Sequence, residues 1–225
     1  MIFEKPLIIV NYKLYAEATG SKALEFTRRL EKAITDKAVI IITPQTIDLK
    51  ELKEKSSLTV FSQNVNGVSY GKGTGKMLPE SLKMTGIKGS LINHAENPLS
   101  LNEIELIVKK FKELSLTSIV CVNDLESAKK IAVFEPDYIA YEPPELIGST
   151  TNSVADSKPE VMETTIKAVK EISPETEVLA GAGVKSSQDM KVTLQLGGKG
   201  CLLATAVMKS ENPEKALQEI INGID

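Results

Sequence analysis

Cysteine and histidine are both scarce in this chain, with two of the first and one of the second in 225 residues. Cys121 and Cys201 each stand inside an apolar run ("IVCV" and "GCLLA"), which reads as buried thiols in a reducing compartment rather than a disulfide framework. One histidine and two sequence-distant cysteines do not supply a ligand set for a structural metal. No GxGxxG follows the first strand candidate, so a dinucleotide site is not indicated and no cofactor is expected. Positive charge is not in excess either: the formal net charge of −3 argues against nucleic acid or an acidic membrane as partner. No run reaches the roughly 20 apolar residues of a spanning helix. The opening "MIFEKPLIIV" lacks the order of a signal peptide, and the expected location is the cytoplasm. An anionic ligand would have to be held by local groups: a few lysines, backbone N–H groups or helix N-termini.

What is present is an alternation. Short, nearly continuous apolar runs read as strands covered on both faces: "LIIVN", "VIIIT", "TVFSQ", "SLINH", "TSIVCV", "YIAYE", "EVLAG" and "GCLLAT". Between them lie segments of helical periodicity. "SKALEFTRRLEKAI" repeats Leu24, Leu30 and Ile34 beside charged neighbours, and "LNEIELIVKKFKEL", "LESAKKIAVF", "PEVMETTIKAVKEI", "SSQDMKVTLQL" and "PEKALQEIING" share the pattern. Thr46 to Lys55 and "LPESLKMTG" supply two shorter helices, and Pro79, Pro159 and Pro213 fit first turns, with Ser157 as the cap before its proline. Eight strands, each followed by a helix, close naturally into a (β/α)₈ barrel in one domain spanning residues 1–225. A doubly wound open sheet is the alternative arrangement.

In a barrel, chemistry belongs at the C-terminal ends of the strands. The first strand runs into "NYK", placing Asn11 and Lys13 on one side. The fourth ends in "NHAE", which puts the sole histidine, His94, at a tip. The sixth ends at Glu142, followed by "PPELIGS"; the seventh ends in "GAG" (Gly181 to Gly183) and the eighth in "LLATAV". Glu142 is either an exposed turn residue or a general base whose strength rises as water is excluded, with Pro143 and Pro144 stiffening one hinge and Gly148 with Ser149 loosening the other. His94 precedes the expected start of a helix, whose N-terminus disfavours the imidazolium and leaves a neutral donor ring. Lys13 reads as a surface lysine, as a fixed cation that attracts an anion, or as a Schiff-base nucleophile. Small-residue turns after the last two strands offer backbone N–H groups to a phosphate. "GKGTGK" (Gly71 to Lys76) departs from the P-loop pattern and reads as a protruding loop.

Taken in order, "NYK", "NHAEN", "YEPPELIG", "GAGV" and "GCLLATAV" resemble triosephosphate isomerase, in its compact archaeal form, over the whole chain from Asn11 onward. The resemblance implies a TIM barrel and an intramolecular aldose–ketose isomerase, interconverting dihydroxyacetone phosphate and D-glyceraldehyde 3-phosphate in glycolysis and gluconeogenesis. It implies Glu142 as base, His94 as carbonyl polariser and Lys13 as charge stabiliser. Asn11 would orient the substrate, and Ile147, Gly148, Gly183, Ala204 and Thr205 would contact the phosphate. Glu96 would position the lysine. It also implies a homodimer or homotetramer, with the Gly71–Lys76 loop at the interface and Thr74 reaching Asn11 and Lys13 of the next copy. Ala95 replaces the family's usual serine, from which an altered resting orientation of Glu142 is expected. Thr205 departs from the more typical small pair, and its branched side chain would narrow the cradle.

Overall fold

The computed structural model describes residues 2–143, 159–181 and 183–225. Eight strands form one all-parallel sheet: β1 (Leu7–Asn11), β2 (Val39–Thr43), β3 (Thr59–Val60), β4 (Gly89–Ile92), β5 (Thr117–Val122), β6 (Tyr138–Tyr141), β7 (Glu177–Gly181) and β8 (Gly200–Leu203). Their order is β3-β2-β1-β8-β7-β6-β5-β4, so each strand neighbours its sequence neighbour and β8 returns to β1. The ring is nearly closed between β3 and β4: Ser62 forms a parallel bridge with Ser90, donating its N–H to Gly89 O and accepting from Leu91 N, both at 2.9 Å. The barrel, rather than the open sheet, is the architecture.

Between the strands lie α1 (Ser21–Leu30), α2 (Leu49–Lys55), α3 (Pro79–Met84), α4 (Leu101–Leu114), α5 (Leu125–Ala132), α6 (Pro159–Ile172) and α7 (Ser187–Gln195). After β8 come the four-residue α8 (Thr205–Met208) and then α9 (Pro213–Ile221). Pro79 and Pro213 occupy first turns, where the missing N–H costs nothing. Ser100 and Ser186 each close a reciprocal capping box, with Glu103 and Asp189. Ser157 lies outside the described residues.

The side-chain period of two sorts the strands into layers. Leu7, Ile9, Ile41, Phe61, Leu91, Ile119, Cys121, Tyr138, Ala140, Leu179 and Leu202 form one fully buried cluster inside the ring. Alternate residues such as Ile8, Val10, Ile42, Val120, Val122 and Cys201 join a second cluster beneath the helices, with Phe26, Leu30, Phe111 and Leu217. Burying each such side chain contributes about 1.5–3 kcal/mol. Gly89 has no room for a side chain: a Cβ there would strike Thr117 O and the Phe61 ring.

Several boundaries differ from the periodicity. "TVFSQ" forms regular strand only at Thr59 and Val60, because the chain then spends its hydrogen bonds on closing the ring at Ser62. "SLINH" ends at Ile92 and "GCLLAT" at Leu203, so His94 and Thr205 lie just beyond their strands. Helical hydrogen bonding of the first helix stops at Leu30 and tightens into a 3₁₀ turn through Ala33. Its buried residues are Ala23, Phe26, Thr27 and Leu30, and Ile34 is 53 % exposed. Both cysteines are free and buried.

Candidate active site

The inward parity of the strands carries through to their tips. Asn11 and Gln63 continue the inward rows of β1 and β3. Asn93 does so for β4, Glu142 for β6, and Gly181 ends the row of β7. Polar residues therefore cap an apolar barrel at one end, which makes that end the candidate site.

Lys13 occupies this end in a strained backbone, with φ 43°, a region that long side chains rarely adopt. Three contacts hold it there. Asn11 Oδ1 accepts the Lys13 N–H at 2.9 Å, Gln63 donates its amide to Lys13 O at 2.9 Å and to Thr43 O at 3.1 Å, and Lys13 Nζ pairs with Glu96 Oε1 at 2.8 Å. The ammonium is thereby aimed rather than left to wander. Glu96, expected to position the lysine, lies beside it.

His94 stands on a turn supported by Asn93, itself left-handed at φ 61°. The Asn93 side chain donates to Cys121 O and accepts from Leu99 N, both at 2.9 Å. Helix α4 starts only at Leu101, capped by its own Ser100, so the expected helix N-terminus is not the group that touches the ring. A backbone amide takes that role: Glu96 N–H donates to His94 Nδ1 at 3.2 Å. A ring nitrogen that accepts carries no proton, so a neutral His94 bears its hydrogen on Nε2.

That Nε2 faces Glu142 Oε1 at 3.9 Å, too far for a direct hydrogen bond. Glu142 is 5 % exposed; its N–H donates to Val122 O at 2.8 Å, and its Oε2 is buried with no hydrogen-bond partner among the described residues. Burial pushes its carboxyl above the ordinary value of 4.5. The His94 ring, the Cys121 thiol and the Lys13 ammonium, all nearby, pull the other way without reversing the rise. The exposed-turn reading of Glu142 is set aside by this burial. Ala95, beside His94, is exposed, and Glu142 rests inward, against the histidine.

Three contributors were not read as site residues from sequence. Cys121 looked like simple core, yet its thiol lies against the Glu142 carboxylate. Gln63 looked like a strand end. Gly181 reads as the end of its strand, which it is, but not as the neighbour of Glu142, whose Cγ a Cβ there would strike. Strand parity was the available signal for all three.

At the β7 tip Gly183 takes a positive φ of 80° that favours glycine. At the β8 tip Ala204 and Thr205 lead into α8, whose first N–H groups have no intrahelical partner. Thr205 Oγ1 is hydrogen-bonded to Tyr15 OH at 3.0 Å. Ile147 and Gly148 lie outside the described residues, as does Ala182. Thr74 is exposed on its loop, between Gly71 and Gly75 with φ of 117° and 82°. Among the described residues no group of three or more histidine, cysteine or acidic side chains is gathered as a metal would require.

Chemically, the site offers a desolvated carboxylate, an imidazole whose Nδ1 accepts and whose Nε2 faces that carboxylate, and an ammonium held by Glu96. A family model described as Triosephosphate isomerase matches residues 6–224. The chain is 42 % identical over 219 residues to the triosephosphate isomerase of Methanocaldococcus jannaschii, covering 97 % of this chain and 100 % of that one. It is 41 % identical to the Methanothermus fervidus enzyme of that name (97 % and 98 % covered) and 40 % identical to the Methanobrevibacter smithii one (96 % and 98 %).

Proposed function

The chain belongs to the triosephosphate isomerase family, and on that premise we propose that it interconverts dihydroxyacetone phosphate and D-glyceraldehyde 3-phosphate, with Glu142 as the proton-transferring base. The observation that carries this reading is the pairing of a buried Glu142 oxygen that has no hydrogen-bond partner among the described residues with a His94 Nε2 3.9 Å from the other oxygen. Glu142 takes the proton from the carbon beside the carbonyl and returns it to the neighbouring carbon. His94 donates from Nε2 to the carbonyl oxygen as negative charge develops there. Lys13, aimed by Glu96, stabilises the enediolate, and Asn11 orients the substrate. The net reaction moves hydrogen within one molecule and requires no external oxidant or reductant; in this reading it serves glycolysis and gluconeogenesis.

Gly183, Ala204 and Thr205 form the phosphate cradle in this reading, completed by backbone N–H groups of Ile147 and Gly148. Closure over the substrate protects the enediolate, which would otherwise expel its phosphate. We further propose self-association as a homodimer or homotetramer. Leu14, Ile47, Tyr70 and Met84 are 69–84 % exposed and belong to the β1–α3 stretch. The loop bearing Thr74 would then reach Asn11 and Lys13 of a second copy.

The test is a coupled assay converting D-glyceraldehyde 3-phosphate to dihydroxyacetone phosphate, on the wild type and Glu142→Gln side by side. Loss of about a thousandfold or more in kcat is expected for the variant, at the level of a lost general base. No turnover by a folded, oligomeric wild type would sink the reading. Borohydride trapping of substrate on Lys13 would replace it with an aldolase-type Schiff base.

A further inference from the structure

Tyr15 has no place in the reaction as described, yet its hydroxyl ends on a residue of the proposed phosphate cradle. Strands β1 and β8 are paired in register, Val10 opposite Leu203, so the loops leaving their tips emerge side by side. Tyr15 lies five residues beyond Val10 and Thr205 two beyond Leu203, and their hydroxyls meet at 3.0 Å. This contact joins the loop that carries Lys13 to the turn that opens α8.

Tyr15 is itself firmly held. Its N–H donates to Tyr12 O at 3.1 Å, and its carbonyl accepts from Ala18 N at 3.1 Å and from the Thr19 hydroxyl at 2.8 Å. The ring packs against the outer apolar cluster, and Lys209 Nζ lies 5.1 Å from its centroid. Glu17 in turn fixes that ammonium at 2.7 Å. Lys209 caps the C-terminal end of α8, so both ends of this four-residue helix are tied to the same tyrosine: the first through its side-chain hydroxyl, the last through its cation.

We propose that Tyr15 is a positioning residue for the phosphate group: it sets the side-chain torsion of Thr205 and the placement of α8, and so the shape of the cradle. This rests on the reading of the β8 tip as the phosphate site. The physical reason is the branching of threonine. With two heavy atoms on Cβ, Thr205 has few allowed torsions, and a hydrogen bond from its hydroxyl selects one of them. That choice keeps the hydroxyl on Tyr15 and holds the first turn of α8, with its backbone N–H groups, in one place. Without the tether, Thr205 is free to change torsion and α8 loses its anchor to the Lys13 loop. Binding of phosphate suffers, while proton transfer by Glu142, at the tip of β6 and separated from β8 by β7, does not depend on the tether.

The experiment uses Tyr15→Phe, which keeps the ring, its packing and its cation contact and removes one oxygen, together with Thr205→Val and the double variant. KM, kcat and the inhibition constant of inorganic phosphate are measured for all four proteins, with thermal midpoints as a folding control. Tyr15→Phe is expected to raise KM and weaken phosphate inhibition by about threefold to tenfold, the value of one net hydrogen bond. Its kcat should change by less than that, and in the Thr205→Val background the Tyr15 change should add almost nothing. Unchanged KM and inhibition constant in Tyr15→Phe, or effects that multiply in the double variant, would overturn the inference. If phosphate fails to inhibit the wild type, the cradle itself is misplaced and the inference falls with it. If phosphate inhibits wild type and Tyr15→Phe equally, only the role of Tyr15 is lost.

Discussion

Gly181 and Glu142 are packed so closely that the two side chains could not both exist: a Cβ on Gly181 would overlap Glu142 Cγ and come within 3.1 Å of its carboxyl carbon. β7 thus yields space for the side chain at the end of β6, and the carboxylate settles inward against His94. Gly181→Ala is expected to fold, since this position is ordinary strand, at a stability cost of about 1–3 kcal/mol for overpacking. Its kcat should fall by about a hundredfold, because a displacement of 1 Å at the reacting group is worth that much. Steady-state kinetics beside a urea melt separates the two effects. Wild-type kcat would show that Glu142 is not confined by this wall.

Burial of Glu142 has a consequence for stability that can be signed. Its folded-state carboxyl titrates above the ordinary value of 4.5, mainly through desolvation. Between those two values the native state keeps a proton that the unfolded chain has released. Stability therefore falls as pH rises through that window and stays lower above it. Glu142→Gln has no charge to bury. It should melt higher than wild type at pH 7–8, by a few degrees, since about 1 kcal/mol moves the midpoint of a chain this size by about 2–4 °C. The difference should close below pH 4.5, where the carboxyl is protonated in both states. A variant that melts lower than wild type at pH 8 would mean that the carboxylate's partners outweigh its desolvation.

The barrel was legible because its strands are covered on both faces and so read as unbroken apolar runs, with helical periods between. Polar residues at strand ends, Asn11 and Glu142 above all, marked the mouth. What escaped notice was set by contacts across strands. No local pattern says that Gly181 makes room for a side chain on β6, that the Cys121 thiol meets Glu142, or that Gln63 holds the carbonyl of Lys13. The ends of "TVFSQ" and "GCLLAT" were misplaced for a similar reason. Ring closure at Ser62 and the start of α8 at Thr205 depend on which backbone groups find partners elsewhere in the chain.

The pair Lys13–Glu96 should matter far more to activity than to folding. Glu96 is 60 % exposed, and such a pair contributes about 1 kcal/mol or less to stability. Its effect on catalysis comes through direction: the carboxylate at 2.8 Å draws Nζ from among many possible positions. Glu96→Gln keeps the backbone N–H that donates to His94, so the histidine's tautomer is unaffected. Expected are an unfolding free energy within about 1 kcal/mol of wild type and a kcat/KM lowered about tenfold, the worth of one charge-assisted hydrogen bond. Equal kcat/KM in the two proteins would show that Asn11 and Gln63 alone aim the lysine.

Self-association can be tested where the exposed apolar surface is densest. Ile47 is 84 % exposed in the loop after β2 and Leu14 is 79 % exposed in the loop after β1, and these two strands pair directly. The same region holds Thr43 Oγ1 and Asp48 Oδ2, both buried and without a hydrogen-bond partner among the described residues. Large apolar side chains grouped at the rim of a site are costly in water, and a second copy is the occupant proposed for them. Ile47→Arg removes about 1.5–3 kcal/mol of apolar burial and adds a charge to be desolvated, so the dissociation constant should rise by about a hundredfold. Sedimentation across a dilution series reads that change directly. Because Thr74 of the second copy is proposed to steady Asn11 and Lys13, specific activity of the variant should rise with protein concentration while that of the wild type stays level. A monomeric wild type with full activity would remove the partner from the site altogether.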